Sequence, residues 1–487
     1  MRRRRRRRHV WVAVVLGVVM AAGCDAGTPS GGDQTSAPAT TIPESDATVS
    51  GDGSTTSPTQ PATSSTQTAT TFASVGPESG VDAAWIGGFG CGASALAADG
   101  TWSRLREEYG TLDNDQVMDV VVGSDNTTWI ATSTSVERVT AGMMTRAYDR
   151  GFDALAVDPV SGDLWGIAYQ EAVRFDGTSW ESHPSTDFGE GEYVDLVKDV
   201  AVDAEGHPWV ATTSTVAMLE GDTWTWWGVG QGFPDSAYPY YLESIAVAPD
   251  GRVWTSTTDG VLVFDGDTWL MTDPGVDQPK RISVADDGRV FVASFADGFA
   301  TYEAGAWRVT TASAGGLPND RVRAVEVDDR GRMWVGTTWG VSVSDAGAWT
   351  TYTMATSGMA GNCVETLAID GGGPPEVPAP TTPETGSLTG VIRTDGQPLA
   401  NASVVLCSDQ PGAVFTGDTP CSGQPYESVA VTDTEGRFTF TDVPIGDYEL
   451  AWQVDEDTWR SYLIGGEDAM VRPGRITELE AIESETD

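Results

Sequence analysis

The chain has 487 residues, of which 71 are acidic and 28 are Lys or Arg, giving a net charge of −43 at pH 7. This excess of acid excludes nucleic acid as a partner, because no basic stripe is available to displace counterions from phosphates. Hydrophobic residues make up 40% of the chain, which is enough for packed cores and excludes a wholly disordered protein. The 57 glycines and 18 tryptophans, with few helix-favouring runs, favour all-β structure.

The first 24 residues have the pattern of an export signal. Arg2–Arg8 is cationic, and Val10–Ala22 is an apolar run too short to cross a bilayer comfortably. The run ends in AAGC at 21–24, and small residues before a cysteine resemble a bacterial lipobox. This resemblance implies a lipoprotein signal peptide at 1–23 and acylation of Cys24, which would attach the chain to the bilayer at the extracytoplasmic face of the cell membrane. An ordinary secretory signal and a single apolar membrane anchor are the alternatives.

Residues 24–80 are dominated by Ser, Thr, Pro, Gly and Ala. Such a composition buries too little apolar surface to offset the entropy lost on ordering. We therefore expect a disordered tether between the anchor and the folded part.

A repeat of 36–45 residues fills the region 81–372. Each unit has an alternating apolar strand, an Asp/Gly turn, and a second strand that begins with an aromatic residue, as in "VRAVEVDDRGRMWVGT". The aromatics of this first row are Trp85, Trp129, Trp165, Trp209, Trp254, Phe291 and Trp334. A second row follows 15 to 17 residues later and consists of Trp102, Met144, Trp180, Trp224, Trp269, Trp307 and Trp349. Units of this length with period-2 alternation predict a β-propeller, in which neighbouring four-stranded blades cover each other's faces.

The ends of the repeat predict how the ring closes. The first unit begins at its second strand, near Trp85, and the last supplies only a first strand, "CVETLAID" at 363–370. Joined, these ends make one blade and bring the predicted number to seven, which leaves no free sheet edge. Cys91 and Cys363 then lie at neighbouring strand ends, so we expect a disulfide between them that closes a very long loop.

Residues 314–345 carry the clearest family resemblance. Their sequence, "AGGLPNDRVRAVEVDDRGRMWVGTTWGVSVSD", resembles the two-component regulator propeller, the sensor propeller of hybrid histidine kinases. The resemblance implies a ligand-sensing or binding propeller on the outer side of a membrane.

After a Pro-rich linker at 373–386, residues 387–480 alternate as short strands and tight turns, and an acidic tail follows at 481–487. This pattern predicts a small β-sandwich. It resembles the carboxypeptidase regulatory-like domain, with a prealbumin-like or carbohydrate-binding-like fold, at Gly390, Gly396, Pro398, Leu399, Ala402, Val404, Gly436, Phe438, Phe440, Pro444, Gly446 and Tyr448. Cys407 and Cys421 both fall within this segment, and pairing them keeps each disulfide inside one domain.

The sequence contains no recognisable catalytic constellation. There is no nucleophile elbow, no Cys-x-x-Cys and no His-Glu-x-x-His motif. A lyase would need His183 or His207 as its base, and His207 stands in a turn where sister repeats have Arg. We predict no cofactor, and calcium stays unassigned because no twelve-residue calcium loop is visible.

The longest predicted loop between repeats, 226–241, contains the candidate ligand-binding residues Trp226, Trp227, Phe233, Tyr238, Tyr240 and Tyr241. Exposed aromatics beside acids can stack on sugars or peptides. The competing interpretation is that the two tryptophans continue an outer strand and the tyrosines pack locally. The sequence thus predicts a monomeric surface lipoprotein that binds, senses or scaffolds through its propeller face. The alternative is an extracellular polysaccharide hydrolase or lyase, which two carboxyl groups close together at the channel mouth would favour.

Overall fold

The computed structural model describes residues 84–189, 196–235, 240–369, 378–408, 419–422, 424–455, 458–462 and 470–484. The signal peptide, Cys24, the tether and Tyr238 lie outside these ranges. Within them the regular secondary structure is strand, as the sequence predicts, apart from short 3₁₀ turns at Glu107–Tyr109, Ser185–Phe188 and Ala312–Ala314.

The described residues between 84 and 369 form seven antiparallel sheets. The chain enters through β1 (Ala84–Gly88), β2 (Gly92–Leu96) and β3 (Trp102–Leu105). Sheet 1 contains β4 (Val117–Val122), β5 (Thr128–Thr132), β6 (Val136–Thr140) and β7 (Met143–Tyr148). Sheet 2 contains β8 (Ala154–Val157), β9 (Leu164–Ala168), β10 (Glu171–Phe175) and β11 (Trp180–Pro184). Sheet 3 contains β12 (Val197–Val202), β13 (Pro208–Thr212), β14 (Thr215–Glu220), β15 (Thr223–Val229) and the short parallel β16 (Gly232–Phe233).

The remaining sheets repeat this order of strands. Sheet 4 contains β17 (Leu242–Val247), β18 (Val253–Thr257), β19 (Gly260–Phe264) and β20 (Trp269–Thr272). Sheet 5 contains β21 (Pro279–Val284), β22 (Val290–Ser294), β23 (Phe299–Glu303) and β24 (Ala306–Thr310). Sheet 6 contains β25 (Val322–Val327), β26 (Met333–Thr337), β27 (Gly340–Asp345) and β28 (Ala348–Tyr352). Finally β29 (Thr366–Ile369) pairs with β1, so the order of the closing sheet is β29-β1-β2-β3.

The closing sheet joins the two ends of the repeat in the way that the sequence predicts. Trp85 pairs with Ala368 in the antiparallel ladder between β1 and β29. Cys91 and Cys363 form a disulfide, with their Cα atoms 6.0 Å apart. Both the backbone ladder and the covalent bond therefore connect residues that are more than 270 positions apart in the chain.

Aromatic side chains fill the spaces between sheets. All seven first-row aromatics are buried, because the second strand of each sheet is covered on both faces by its neighbours. Members of the first row meet members of the second row on the next sheet. The ring centroids of Trp165 and Trp224 are 6.5 Å apart, and those of Trp254 and Trp307 are 6.1 Å apart. These contacts supply the apolar burial that holds neighbouring sheets together.

The C-terminal region has two further sheets that share one apolar core. In one sheet β30 (Thr385–Thr394) pairs with β31 (Gln397–Pro398), β34 (Arg437–Pro444), β37 (Ile476–Glu478) and β38 (Ile482–Ser484). The other has the order β33 (Glu427–Val431), β32 (Ser403–Cys407), β35 (Glu449–Gln453) and β36 (Trp459–Tyr462). The expected disulfide between Cys407 and Cys421 is present.

Candidate functional site

The first strands of the seven sheets enclose a central channel. Each contacts the first strand of the next sheet, and the series β4, β8, β12, β17, β21, β25 and β29 returns to β4. Two kinds of connection lie on the side of the ring where these strands begin. They are the loops from the last strand of one sheet to the first strand of the next, and the turns between second and third strands. We call this side the loop face.

Six charged residues and Met118 stand where the first strands begin at the loop face. We call lip residues the second residue of β4, β12, β17, β21 and β25 and the residue directly before β8 and β29. They are Met118, Lys198, Glu243, Lys280, Arg323, Asp153 and Glu365. In five of these strands a register shift occurs at this position, as between Val197 and Asp199 of β12. Such a bulge leaves the extra residue outside the ladder and re-aims its side chain.

Ion pairs connect lip residues on neighbouring strands. The Lys280 ammonium lies 2.7 Å from a Glu243 carboxylate oxygen, and a guanidinium nitrogen of Arg323 lies 3.4 Å from Glu365. The Arg323 guanidinium also lies 3.8 Å from the ring centre of Phe295, in the turn between β22 and β23. The chain contains only two lysines, and both are lip residues. The aligned repeats already place both lysines at this one position, a signal that the predictions from the sequence did not use.

One residue deeper, a belt of polar side chains ties the first strands together. Each first strand is a sheet edge, so its channel-side N–H groups lack ladder partners. Asp119 accepts a hydrogen bond from the Leu155 N–H at 2.9 Å, and Asp199 accepts one from the Ile245 N–H at the same distance. Carboxylates of one strand therefore satisfy backbone donors of the next.

Arg281 crosses the channel at this depth. It lies on β21, yet one of its Nη atoms is 2.5 Å from the Asp119 carboxylate on β4, and Thr366 donates to the same oxygen at 2.6 Å. Desolvation opposes the charge of the guanidinium, but Asp119 and Asp199 hold the pKa of Arg281 above its usual value. Burial raises the pKa of Asp199 in spite of Arg281 and Ser244. This cluster obstructs the channel below the lip.

A small cavity lies at the far ends of β21, β25 and β29 from the lip, lined half by acids and half by apolar residues. Glu326 lines it together with Asp286, Asp328 and Asp329, in a volume of about 160 Å³. Desolvation, reinforced by Asp119 and Asp286, raises the pKa of Glu326 to about 7, although Arg281 opposes the shift. Asp328 is already engaged with Arg332 and with the Trp334 indole N–H.

The C-terminal region covers one sector of the loop face, which we call the capped sector and which comprises Arg106, Trp339, Met354, Ala355 and Asn362. Trp339, in the turn between β26 and β27, enters the apolar core of the C-terminal region and is 8% exposed. Its ring centre lies 5.6 Å from that of Tyr448. Met354 and Ala355 form a second apolar cluster with Ile445 and Met470.

Arg106 is the polar centre of the capped sector, with a side chain that is 1% exposed. Its guanidinium donates to Asp115 at 2.9 Å and to the carbonyl oxygens of Ala360 and Gly90 at 3.1 and 3.2 Å. Asp447 of the C-terminal region approaches the same guanidinium at 4.0 Å. Desolvation nevertheless raises the pKa of Asp447 to about 6, because it exceeds the opposing effect of Arg106.

The predicted aromatic loop is mostly packed within the residues that the structure describes. The two tryptophans continue an outer strand, as the competing interpretation of the sequence expects. Trp227 stacks on Trp209 with centroids 5.4 Å apart, and Trp226 packs in the interface between sheets 2 and 3. Phe233 and Tyr240 are buried against Trp269 and its cluster. Tyr241 is 48% exposed. Of the six aromatic residues predicted to bind a ligand, it is therefore the one that the structure shows exposed. The reason is that β15 extends through Val229, so both tryptophans lie on an outer strand that sheet neighbours cover.

Neither histidine proposed as a lyase base lies at the channel. His183 lies on β11 and stacks against Trp165 at 5.4 Å, and His207 lies in the turn after β12 with Nδ1 3.1 Å from Asp203. In the part of the chain that the structure describes, no group of three or more Asp, Glu, His or Cys residues is arranged to hold a metal ion. Across those same ranges no helix has the length and apolar character needed to span a bilayer.

Comparisons with known proteins agree with a propeller fold. The family model of the two-component regulator propeller matches residues 316–339. A search of curated protein sequences finds no significant match. The sheets and the repeat together define an all-β chain of propeller type, in which one repeat matches the model of the two-component regulator propeller.

Several solved propeller structures are similar to this chain. The extracellular domain of a hybrid two-component system of B. thetaiotaomicron is 14% identical with a TM-score of 0.43, over 76% of this chain and 56% of that one. PorZ, a surface component of the type-IX secretion system of Porphyromonas gingivalis, is 13% identical with a TM-score of 0.42, over 76% and 62%. Virginiamycin B lyase of Staphylococcus aureus is 11% identical with a TM-score of 0.41, over 48% and 83%. At these values the similarities carry no argument about activity.

Proposed function

We propose that this chain is a lipid-anchored binding or sensing protein of the extracytoplasmic membrane face, and that it binds carbohydrate or peptide at the loop face of a seven-bladed propeller. The supporting observation is the contrast between the capped sector and the remaining lip, where Tyr241 and charged residues stay accessible. Concave faces with exposed aromatics and a few placed charges are typical of ligand sites.

The count of seven blades is supported by the seven sheets and by the closed series of first strands. We assign the C-terminal region to a carboxypeptidase regulatory-like β-sandwich with an accessory role, supported by its two sheets around one core. We further propose that the protein is a monomer, because the ring closes within one chain and the capped sector buries its apolar residues against the C-terminal region.

The anchor is tested by Cys24→Ser in the full-length chain. Loss of the acylated cysteine should move the protein from the membrane fraction to the soluble fraction, since an apolar run of this length does not anchor durably by itself. Cys407→Ser is the matched control and should remain in the membrane fraction. Membrane retention of the Cys24→Ser variant would refute the lipid anchor.

The binding function is tested on glycan and peptide arrays with the full-length chain purified in detergent. A binder should select a defined set of ligands and lose them when Tyr241 is changed to Ala. Tyr109→Ala serves as the control, because that tyrosine is equally exposed, at 48%, but lies beside the capped sector. No selective binding on either array would contradict the proposal.

The enzyme alternative retains one favourable feature, which is Glu326 with its pKa raised to about 7 beside the small acidic cavity. A carboxyl group with such a pKa suits a general acid in glycoside cleavage. At the loop face, by contrast, Glu243 and Glu365 are paired with cations. Turnover of a polysaccharide by the wild type but not by Glu326→Gln would favour the enzyme over the binding module.

A further inference from the structure

Tyr169 is an unusual residue of the loop face. It follows β9 in the turn between second and third strands, is 63% exposed, and has φ 56°. That left-handed conformation costs a bulky residue on the order of 1 kcal/mol. The equivalent residues of sheets 1 and 3–6 have no positive φ, and they are Ser133, Thr213, Thr258, Phe295 and Thr338. A strained and exposed aromatic points to a function that packing does not explain.

Tyr169 and Tyr241 flank the start of the same strand. The Tyr169 carbonyl accepts a hydrogen bond from the Val197 N–H at 3.1 Å, which holds Tyr169 beside the beginning of β12. Tyr241 directly precedes β17, the next first strand, where Leu242 donates to the Thr213 carbonyl at 3.0 Å. These two backbone bonds place Tyr169 and Tyr241 at the loop face, one on each side of the start of β12.

Lys198 is the lip residue between them, in the bulge of β12. Its ammonium makes no hydrogen bond or ion pair with the residues that the structure describes, whereas Lys280 is paired with Glu243. Asp153, directly before the preceding first strand β8, is an acid that interacts with the Lys198 ammonium electrostatically. One of the two lysines in a very acidic chain thus lies, along the backbone of the loop face, between two tyrosines with exposed rings.

We propose that Tyr169, Lys198 and Tyr241 form a subsite for an acidic sugar, specifically a hexuronate unit of an extracellular polysaccharide. The inference rests on the proposed binding function and names its ligand class. Aromatic faces cover the apolar C–H surface of a sugar ring, while the ammonium pairs with its carboxylate through a charge-assisted hydrogen bond. We prefer a glycan over a peptide for one reason. Two aromatic side chains beside one cation match the C–H face and single carboxylate of a hexuronate better than they match an extended peptide backbone.

The net charge of −43 predicts how the affinity for an acidic glycan depends on salt concentration. A polyanionic glycan is repelled at long range by this protein, while the contact with Lys198 acts at short range. Raising the salt concentration screens the long-range repulsion first. The affinity for an acidic glycan should therefore be maintained or rise between low and physiological ionic strength, instead of falling as it does for a cationic surface.

The test is calorimetric titration of the full-length chain in detergent with tetragalacturonate and with its uncharged methyl ester. We expect the acid to bind at least tenfold more tightly than the ester. Lys198→Met should remove this preference and Lys198→Arg should retain it, because only the second keeps the charge. Tyr169→Ala and Tyr241→Ala should weaken both ligands, and Tyr109→Ala should change neither. Circular dichroism melting shows whether each variant is folded.

Three results would overturn the inference. Equal affinity for the acid and the ester, or an unchanged preference in Lys198→Met, would eliminate the acidic-sugar subsite. Selective binding of neutral glycans or peptides on the arrays would eliminate it as well, while leaving the proposed binding function standing. No ligand on any array would remove both proposals together.

Discussion

Two sectors of the loop face use similar side chains for opposite purposes. In the capped sector Trp339 is 8% exposed inside the core of the C-terminal region, and Arg106 is saturated with hydrogen bonds. In the open sector, which we define as Tyr169, Lys198 and Tyr241, the two rings are 63% and 48% exposed. Trp339 and Tyr169 both stand in turns between second and third strands. What covers a turn, more than the residue type it carries, therefore decides whether an aromatic stabilises the fold or is accessible to a ligand.

The comparison predicts that substitutions in the capped sector change stability and that those in the open sector change binding. The largest effect is expected from replacing Cys91 and Cys363 together by Ser. Their disulfide closes a loop of 272 residues, and its loss should lower the free energy of unfolding by up to about 5 kcal/mol in the chain-entropy model. Denaturant unfolding under oxidising conditions measures this loss.

The matched control for that experiment is the pair Cys407 and Cys421, replaced by Ser. Its loop of 14 residues predicts a smaller loss, about 3 kcal/mol, on the same model. A larger loss from the short loop than from the long one would contradict the view that the closing sheet depends on its covalent bond.

The second effect in size is expected from Arg106→Met. Removing this guanidinium leaves Asp115 and two carbonyl groups without their donor, and breaking such a buried pair costs about 3–5 kcal/mol. The C-terminal region should also become easier to cleave between residues 378 and 385. Limited proteolysis reports whether the C-terminal region separates from the ring of sheets, and denaturant unfolding reports the stability of the whole chain.

Arg308→Met is the control for Arg106, because Arg308 is an exposed residue of β24 in sheet 5. It should change stability by less than about 0.5 kcal/mol. If Arg106→Met and Arg308→Met change stability and proteolysis equally, Arg106 does not hold the C-terminal region to the ring of sheets.

The third prediction concerns pH and Asp447. The folded state raises the pKa of this carboxyl group to about 6 from 3.8, so the folded protein binds its proton more tightly than the unfolded chain does. Stability should therefore fall as pH rises through the window from about 4 to 6, by up to about 3 kcal/mol. Asp447→Asn should remove this contribution and be more stable than the wild type at pH 7 but not at pH 4.

Unfolding measurements on both proteins across this pH range provide the check. Their difference isolates Asp447, because every other titrating group is shared. A wild type that gains stability relative to Asp447→Asn as pH rises would mean that Arg106 dominates and that the pKa is lowered instead.

The ring was predictable because its information is local and repeated. Each first-row aromatic recurs at a regular distance and pairs with a nearby turn, and the truncated first and last units imply the closing sheet and the bond between Cys91 and Cys363. Packing between repeats was not predictable in this way. The competing interpretation places Trp226 on an outer strand, but it does not name the partners of Trp226 and Phe233, such as Gly189 and Trp269.

Contacts across the channel, and contacts between the ring of sheets and the C-terminal region, could not be predicted from the sequence. Arg281 and Asp119 are 162 residues apart, and they meet because the ring brings opposite first strands together. Trp339 lies in an ordinary turn motif, and its role depends on Tyr426 and Tyr448 in a separate region. The two lysines are the exception, since both stand at the same position of the repeat.

The smallest predicted effect has the opposite sign to the others and addresses the open sector. Tyr169→Gly should raise the free energy of unfolding by up to about 1 kcal/mol, because glycine adopts φ 56° without the penalty that a tyrosine pays. The same variant should bind the acidic glycan less well, since it lacks the ring. Thr213→Gly, at the equivalent turn without a positive φ, should instead lose stability. If Tyr169→Gly is destabilising, the Tyr169 ring contributes to packing. The open sector would then stabilise the fold as the capped sector does, and the contrast between the two sectors would not hold.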